Sequence, residues 1–238
     1  MTVKTVNRAG GGSVSQMLNG VQFAVENGAN VLSMSLGFKN HQLTTTQKEE
    51  IRETFEKLLD LGVVVCAAVG NDGNNYGAPD NVDYPAACPA PWLNPDQTLK
   101  GGISSVIAIG ADDLKESSQG PSTWEGTSYN DYAYNEGESM GLTRPDISAP
   151  GNMIYSLNYL YVDKYQLKSG TSQSTPCVAG IVALMLEKNP SLTPAEISQI
   201  LEETAANKPA TKNNTVGAGR ADALAAVNAV KESEGTPF

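Results

Sequence analysis

The chain has 238 residues, 40% of them hydrophobic and 18% charged, which is enough for one domain with a sizeable apolar core and too apolar for a disordered polymer. The 16 basic and 26 acidic residues leave a net charge of -10, a surface that repels phosphate backbones and excludes nucleic acid as the expected partner. The longest apolar run, residues 63–69, is strand-length, so no membrane span and no membrane partner are expected.

In chain order, residues 3–6 read as a short strand, and Gly10-Gly11-Gly12 breaks it. Ser13 and Gln16 form a capping box for a helix with apolar positions Met17, Leu18, Val21, Phe23, Ala24 and Val25, and Asn27-Gly28 stops it. Residues 30–36 predict a strand with Val31, Leu32 and Met34 apolar, ended by Gly37. Thr46 with Glu49 is a second capping box, Ile51, Phe55, Leu58 and Leu59 share the next helical face, and Gly62 closes it. The continuous run 63–69 predicts a strand covered on both faces, as in a parallel sheet, and Gly70-Asn71-Asp72-Gly73 ends it.

Residues 74–102 are rich in proline and read as loop. Residues 105–111 predict another buried strand, 115–145 are polar and irregular, and 146–149 form a short strand before Pro150-Gly151. A helix follows Gly170-Thr171-Ser172 through Val178, Ala179, Ile181, Val182, Leu184, Met185 and Leu186. Thr193-Pro194-Ala195-Glu196 opens the next helix with proline at its first position, residues 221–230 form the last, and the tail from Glu232 frays. Strands alternating with helices predict an α/β fold, a doubly wound parallel sheet in one domain over residues 1–238.

The three cysteines, Cys66, Cys88 and Cys177, are odd in number and widely spaced. They form neither a disulfide framework nor a metal-ligand pattern and are expected to be free or structural. The N-terminal residues show no basic stretch followed by an apolar one, so no signal peptide is expected in this chain.

The chemistry concentrates in Gly170-Thr171-Ser172-Gln173-Ser174-Thr175-Pro176-Cys177-Val178-Ala179-Gly180. Gly-Thr-Ser alone reads more readily as a helix cap. The whole string is similar to the serine signature of the subtilisin-like serine proteases, with Cys177 where many members carry histidine. Three further segments resemble that family in the same order: Val31-Leu32-Ser33-Met34-Ser35-Leu36-Gly37, Val64-Val65-Cys66-Ala67-Ala68-Val69-Gly70-Asn71-Asp72-Gly73, and Arg144-Pro145-Asp146-Ile147-Ser148-Ala149-Pro150-Gly151.

The resemblance implies a three-layer subtilisin-like fold and a serine endopeptidase acting on peptide or protein substrates. Ser172 would be the nucleophile that forms an acyl-enzyme, and the Asn71 amide would join the Ser172 N–H in holding the oxyanion. A peptide would add as a strand along Ser33, Ser35, Leu36 and Gly37. Ala67, Ala68 and Gly70 would line the specificity pocket, with Asp83 at its floor. Asp83 then either favours lysine or arginine before the scissile bond or is a solvated loop charge. No cofactor is identified; calcium is common in the family, yet no acidic cluster here forms a recognisable site. The full-length protein is expected to be secreted or held at the cell envelope.

A serine hydroxyl needs a base, and in this family the chain order is Asp, His, Ser. The single histidine, His41, sits in a polar loop after Gly37 and lacks the expected surroundings. The resemblance therefore implies an N-terminally truncated domain, inactive alone, since losing the histidine costs subtilisin roughly a factor of 10⁶. A peptide-binding pseudoenzyme that keeps the cleft is the reading from a different class. The absent Asp-bearing strand would expose a sheet edge, closed either by pairing of segments 3–6 and 30–36 or by a homodimer.

Overall fold

The computed structural model describes residues 1–73, 81–88, 106–117, 120–123, 127–128, 145–158, 164–210 and 212–232. In chain order the elements are α1 (Val14–Glu26), β1 (Val31–Met34), a 3₁₀ turn (Asn40–Gln42), α2 (Thr45–Asp60), β2 (Val64–Ala68), β3 (Ile107–Ser117), β4 (Gly120–Thr123), β5 (Ile147–Pro150), β6 (Ile154–Leu157), β7 (Tyr165–Lys168), α3 (Thr171–Lys188), α4 (Pro194–Thr204) and α5 (Ala223–Ala229).

The architecture follows from β2, in which every residue is buried. Successive side chains of a strand point to opposite faces. Val65 and Ala67 join Met17 and Val21 of α1 and Ile51 and Phe55 of α2 in one apolar cluster. Val64 and Cys66 join Val178, Val182 and Met185 of α3 and Ile197 and Leu201 of α4 in a second. The sheet is thus sandwiched between α1 and α2 on one face and α3, α4 and α5 on the other, as the continuous apolar run predicted. Its core pairs are all parallel: β1 with β2, β2 with β3, and β3 with β5. β3 then continues into an antiparallel hairpin with β4. The carboxyl ends of β1 and β2 lie at one end of the sheet, where open α/β folds bind ligands. Among the described residues β1 has a hydrogen-bonded neighbour on one side only.

The structure corrects several expectations. Residues 3–6 form no strand, and they do not pair with β1. A strand needs a neighbour for its N–H and C=O groups, and this segment lies instead across α1. A Cβ at Gly20 would fall 2.2 Å from Thr5 Cγ2, and Val3 packs on the α1/α2 cluster. The α2 capping box is Thr44 with Gln47, not Thr46 with Glu49: the Gln47 N–H donates to Thr44 Oγ1 (3.2 Å) and the Thr44 N–H to Gln47 Oε1 (3.0 Å). The Ser/Thr-x-x-Glu/Gln pattern fits both frames, and the earlier one lengthens the helix. β4 lies within the stretch expected to be irregular, and the β6–β7 hairpin was not expected. The last helix is Ala223–Ala229, shorter at both ends than 221–230. Much of the expected loop 74–102, most of 115–145 and the tail beyond Glu232 lie outside the described residues.

Phe23, expected on the apolar face of α1, is 51% exposed, while Phe55 of α2 is fully buried. The buried positions of α1 are Val14, Met17, Val21 and Ala24, and Phe23 points away from that stripe. Phe55→Ala is expected to cost about 3–5 kcal/mol through the cavity it leaves, and Phe23→Ala less than about 0.5 kcal/mol. Urea denaturation of the two variants checks this, and comparable midpoint shifts would contradict the assigned packing.

Candidate active site

Helix α3 begins directly over the carboxyl ends of β1 and β2. Gly170 precedes it with φ 152°, and a Cβ there would meet the Asn71 side chain at 3.3 Å. Thr171 is fully buried and joins helix to strand end. Its hydroxyl lies 3.2 Å from Gly70 O and 3.0 Å from Asn71 Oδ1, and accepts from the Gly70 N–H at 3.3 Å. The Thr171 N–H also donates to Asn71 Oδ1, at 2.9 Å. With its carbonyl oxygen held this way, the exposed Asn71 amide is turned so that its NH₂ is the free end.

Ser172 is the second residue of α3 and half-buried. Its N–H belongs to the first turn, which lacks intrahelical acceptors, and no acceptor lies on it among the described residues. The Asn71 side chain, bonded to Thr171, and the Ser172 N–H thus both lie at the N-terminus of α3, where partial positive charge favours an anion.

The Ser172 carbonyl exposes a link that the sequence did not reveal. In a regular helix it would accept from the residue four positions on, which is Pro176, and proline has no N–H. Ser35, just beyond β1, supplies the missing donor: its hydroxyl bonds Ser172 O at 2.8 Å. The Ser172 hydroxyl in turn reaches Ser35 O at 3.4 Å. Gly151 and Ser174 fasten the far side, through Gly170 N–H to Gly151 O (2.8 Å) and Ser174 Oγ to Ala149 O (2.9 Å).

The other expected site residues gather around the same strand ends. Ser33, Ser35 and Gly37 are exposed along β1 and just beyond it, and Leu36 is half-buried. Ala67 is wholly buried in the α1/α2 cluster, and Ala68 is 5% exposed. Asp83 is 7% exposed. It is anchored by its N–H to Val69 O (2.9 Å), beside the reciprocal Phe38–Tyr84 backbone pair. A Cβ at Gly70 would stand 2.8 Å from its carboxylate, and one at Gly37 2.7 Å from its Cβ. Sequence reasoning missed Lys39, whose ammonium lies 3.2 Å from Asp83 Oδ2 and 2.7 Å from Asp72 Oδ2. Burial pushes the Asp83 carboxyl up, and Lys39 offsets this only in part. Burial alone would lower the Lys39 pKa, but the hydrogen bond to Asp72 and the charge of Asp83 raise it.

His41 is exposed in the 3₁₀ turn and makes no hydrogen bond to Ser172. Among the described residues no group of histidine, cysteine and carboxylate side chains could hold a metal ion. No disulfide links the cysteines; Cys66 and Cys88 are buried, Cys177 is exposed, and burial pushes the Cys66 thiol up to about 12. No described helix is long and apolar enough to cross a membrane.

Comparison with known proteins matches residues 1–219 to the model of the Subtilase family. Serine protease AprX of Bacillus subtilis (strain 168) is 29% identical over 243 residues, covering 93% of this chain and 49% of AprX. Subtilisin E of the same organism is 32% identical over 203 residues, covering 85% of this chain and 42% of that protein. The chain therefore spans less than half the length of either relative. Among solved structures, Sphericase superposes with a TM-score of 0.69 at 23% identity, covering 91% of this chain and 66% of that one, a likeness of fold.

Two predictions come from the geometry. Ser35→Ala should destabilise the chain by about 1 kcal/mol by baring the Ser172 carbonyl. Pro176→Ala, which restores a helical N–H, should reduce that penalty in a double-mutant cycle; strictly additive effects in chemical denaturation would remove the Ser35 bond as the cause. The second concerns pH. The folded-state pKa of Asp83 is raised above its ordinary value of 3.8, so the folded state holds the proton more tightly than the unfolded one. The resulting stability is full below 3.8 and is lost as pH rises through the raised pKa. On acidification through that window the native chain should gain stability relative to Asp83→Asn. A pH-independent difference between their urea midpoints would refute it.

Proposed function

The chain belongs to the Subtilase family, a family of serine proteases, and from that premise we propose that it carries the nucleophile and the oxyanion-binding groups of a serine endopeptidase but not its general base. The observation that carries this reading is the placement of Ser172 at the second position of α3, beside an Asn71 amide whose carbonyl oxygen Thr171 holds. In the proposed mechanism the Ser172 oxygen attacks the peptide carbonyl carbon. The carbonyl oxygen gains negative charge and would be held by the Asn71 Nδ2–H and the Ser172 N–H. The serine proton must go to a base, and a carboxylate must orient that base. Collapse of the intermediate expels the amine and leaves an acyl-enzyme on Ser172, which water hydrolyses. Peptide substrate would lie as an added strand near Ser33, Ser35 and Gly37.

The base and its carboxylate would be supplied by polypeptide outside these residues, seated against the free edge of β1. That edge faces a groove of about 510 Å³ between β1, α1 and the N-terminal segment. A homodimer through the same edge competes with this arrangement. The alternative of a peptide-binding pseudoenzyme would use the same cleft without the base. The family resemblance points to a protein working outside the cytoplasm or at the cell envelope, and to calcium as the one ion worth testing.

The test is a peptidase assay on the pure chain, with and without a polypeptide bearing an aspartate strand and a His-Gly-Thr helix of a relative. The chain alone should show no turnover above the Ser172→Ala variant. Added polypeptide should restore turnover, and Ser172→Ala should abolish it. Robust turnover by the chain alone would overturn the assignment of a missing base. Specific peptide binding that never becomes turnover, with the added polypeptide shown to be bound, would favour the pseudoenzyme. Light scattering on the same material reads the dimer, with a stable monomer removing it.

A further inference from the structure

Among the described residues, Asp83 is the buried side chain whose charge is only half met. It is 7% exposed, and its Oδ1 has no hydrogen-bond partner while Oδ2 takes Lys39. A buried carboxylate oxygen without a donor is costly, and proteins retain such groups mainly where something else satisfies them. Its position says where that something comes from. The carboxylate lies beside Gly37 and Gly70, close enough that a Cβ on either would crowd it. Gly37 and Gly70 follow strands β1 and β2 by three and two residues, and Gly70 precedes Asn71, whose side chain accepts from the Thr171 N–H at the start of α3. Asp72, next along the chain, contributes a second carboxylate.

Among the described residues one ammonium bonds these two carboxylates, so that cluster keeps a net charge of about -1 by formal count. Lys39 is also the most exposed member. Its side chain is 32% exposed, against 14% for Asp72 and 10% for Asp83, and a lysine head is a point charge on a flexible stem. Asp83, by contrast, is fixed by its backbone bond to Val69 O. A partly exposed cation on one buried and one half-buried carboxylate is what a bound cationic side chain would look like, supplied here by the chain itself.

We propose that Lys39 is a tethered counter-ion that occupies the pocket between Gly37 and Gly70 in the resting protein, and that a lysine or arginine side chain of the substrate displaces it onto solvent and takes Asp83 and Asp72. This rests on the endopeptidase reading and adds its substrate class. Lys39 sets the strength of the preference rather than its sign. While present it competes with the incoming cation; once removed it leaves two carboxylates unmet and sharpens the selection. Arginine is the better guest, since its fork can reach the unpartnered Oδ1 as well as Oδ2.

The experiment is fluorescence anisotropy of labelled tetrapeptide amides, identical except for Arg, Met or Glu at the last residue, with the native chain and with Lys39→Met, Lys39→Arg and Asp83→Asn. Circular dichroism melts of each variant confirm folding. The native chain should bind the Arg peptide more tightly than the Met peptide. Lys39→Met should widen that ratio about tenfold, Lys39→Arg should leave it near the native value, and Asp83→Asn should collapse it. Should Lys39→Met not fold, Lys39→Gln replaces it, and collapse in Asp83→Asn alone still tests the pocket. Equal binding of the Arg and Met peptides in every folded protein would overturn the proposal while leaving the cleft intact. Binding of none of the peptides by any of them would overturn the cleft reading and this proposal with it. A ratio unchanged by Lys39→Met but lost in Asp83→Asn would overturn the role of Lys39.

Discussion

The arrangement turns on the contact between the first residue of α3 and the last residues of the β2 segment. The buried Thr171 hydroxyl sits among Gly70 O, the Gly70 N–H and Asn71 Oδ1. Packing of Val178, Val182 and Met185 against Val64, Cys66 and Ile109 holds the helix against the sheet, but apolar contacts are tolerant of sliding along the axis. One residue of slide is about 1.5 Å, enough to break every bond that Thr171 makes. The apolar face therefore sets how the helix lies, and one hydroxyl sets how far along it begins. Both the serine and the amide beside it inherit their positions from that choice.

Much of this was readable from residue order, and the exceptions share a cause. The buried strand β2 betrays itself because an apolar run of strand length, with no polar alternation, has to be covered on both faces. Ser172 and Asn71 stand out only because long neighbouring strings constrain them. Residues 3–6 have the local pattern of a strand, but whether a partner lies beside them is not a local property. The β6–β7 hairpin shows the reverse: Tyr155, Ser156 and Leu157 are all exposed, so no alternation marks it. Lys39 reads as a loop lysine because its carboxylate Asp83 is 44 residues away. The Ser35 bond to Ser172 O spans 137 residues, although Pro176 announced in advance that the carbonyl would need a donor from elsewhere.

The buried carboxylates of the chain fall into two kinds. Asp112 is fully buried and held by Arg220 in a two-point fork at 2.8 and 3.1 Å. Asp146 accepts from the Ala108 N–H at 2.8 Å and from Lys212 at 3.0 Å. Both oxygens of each are engaged, and both pairs tie residues 212–220 to the sheet, a task of structure. Asp83 is engaged on one side only and by a shared lysine. The difference in satisfaction separates carboxylates that hold the fold from one that keeps an oxygen without a donor.

The bond from Ser35 to the Ser172 carbonyl has a further bearing on β1. Among the described residues that strand has a hydrogen-bonded neighbour on one side only, and the first turn of α3, with Ser172, is bonded to the residue just past its end. A partner that shifted the strand on pairing along its other side would therefore act on Ser172 without touching it. By thermodynamic linkage such an effect would run both ways: a ligand that moved Ser172 would change the affinity of that side of the strand for a partner by the same factor. The two sites would then be joined through the paired bonds of Ser35 and Ser172, one of which stands in for a proline's missing hydrogen.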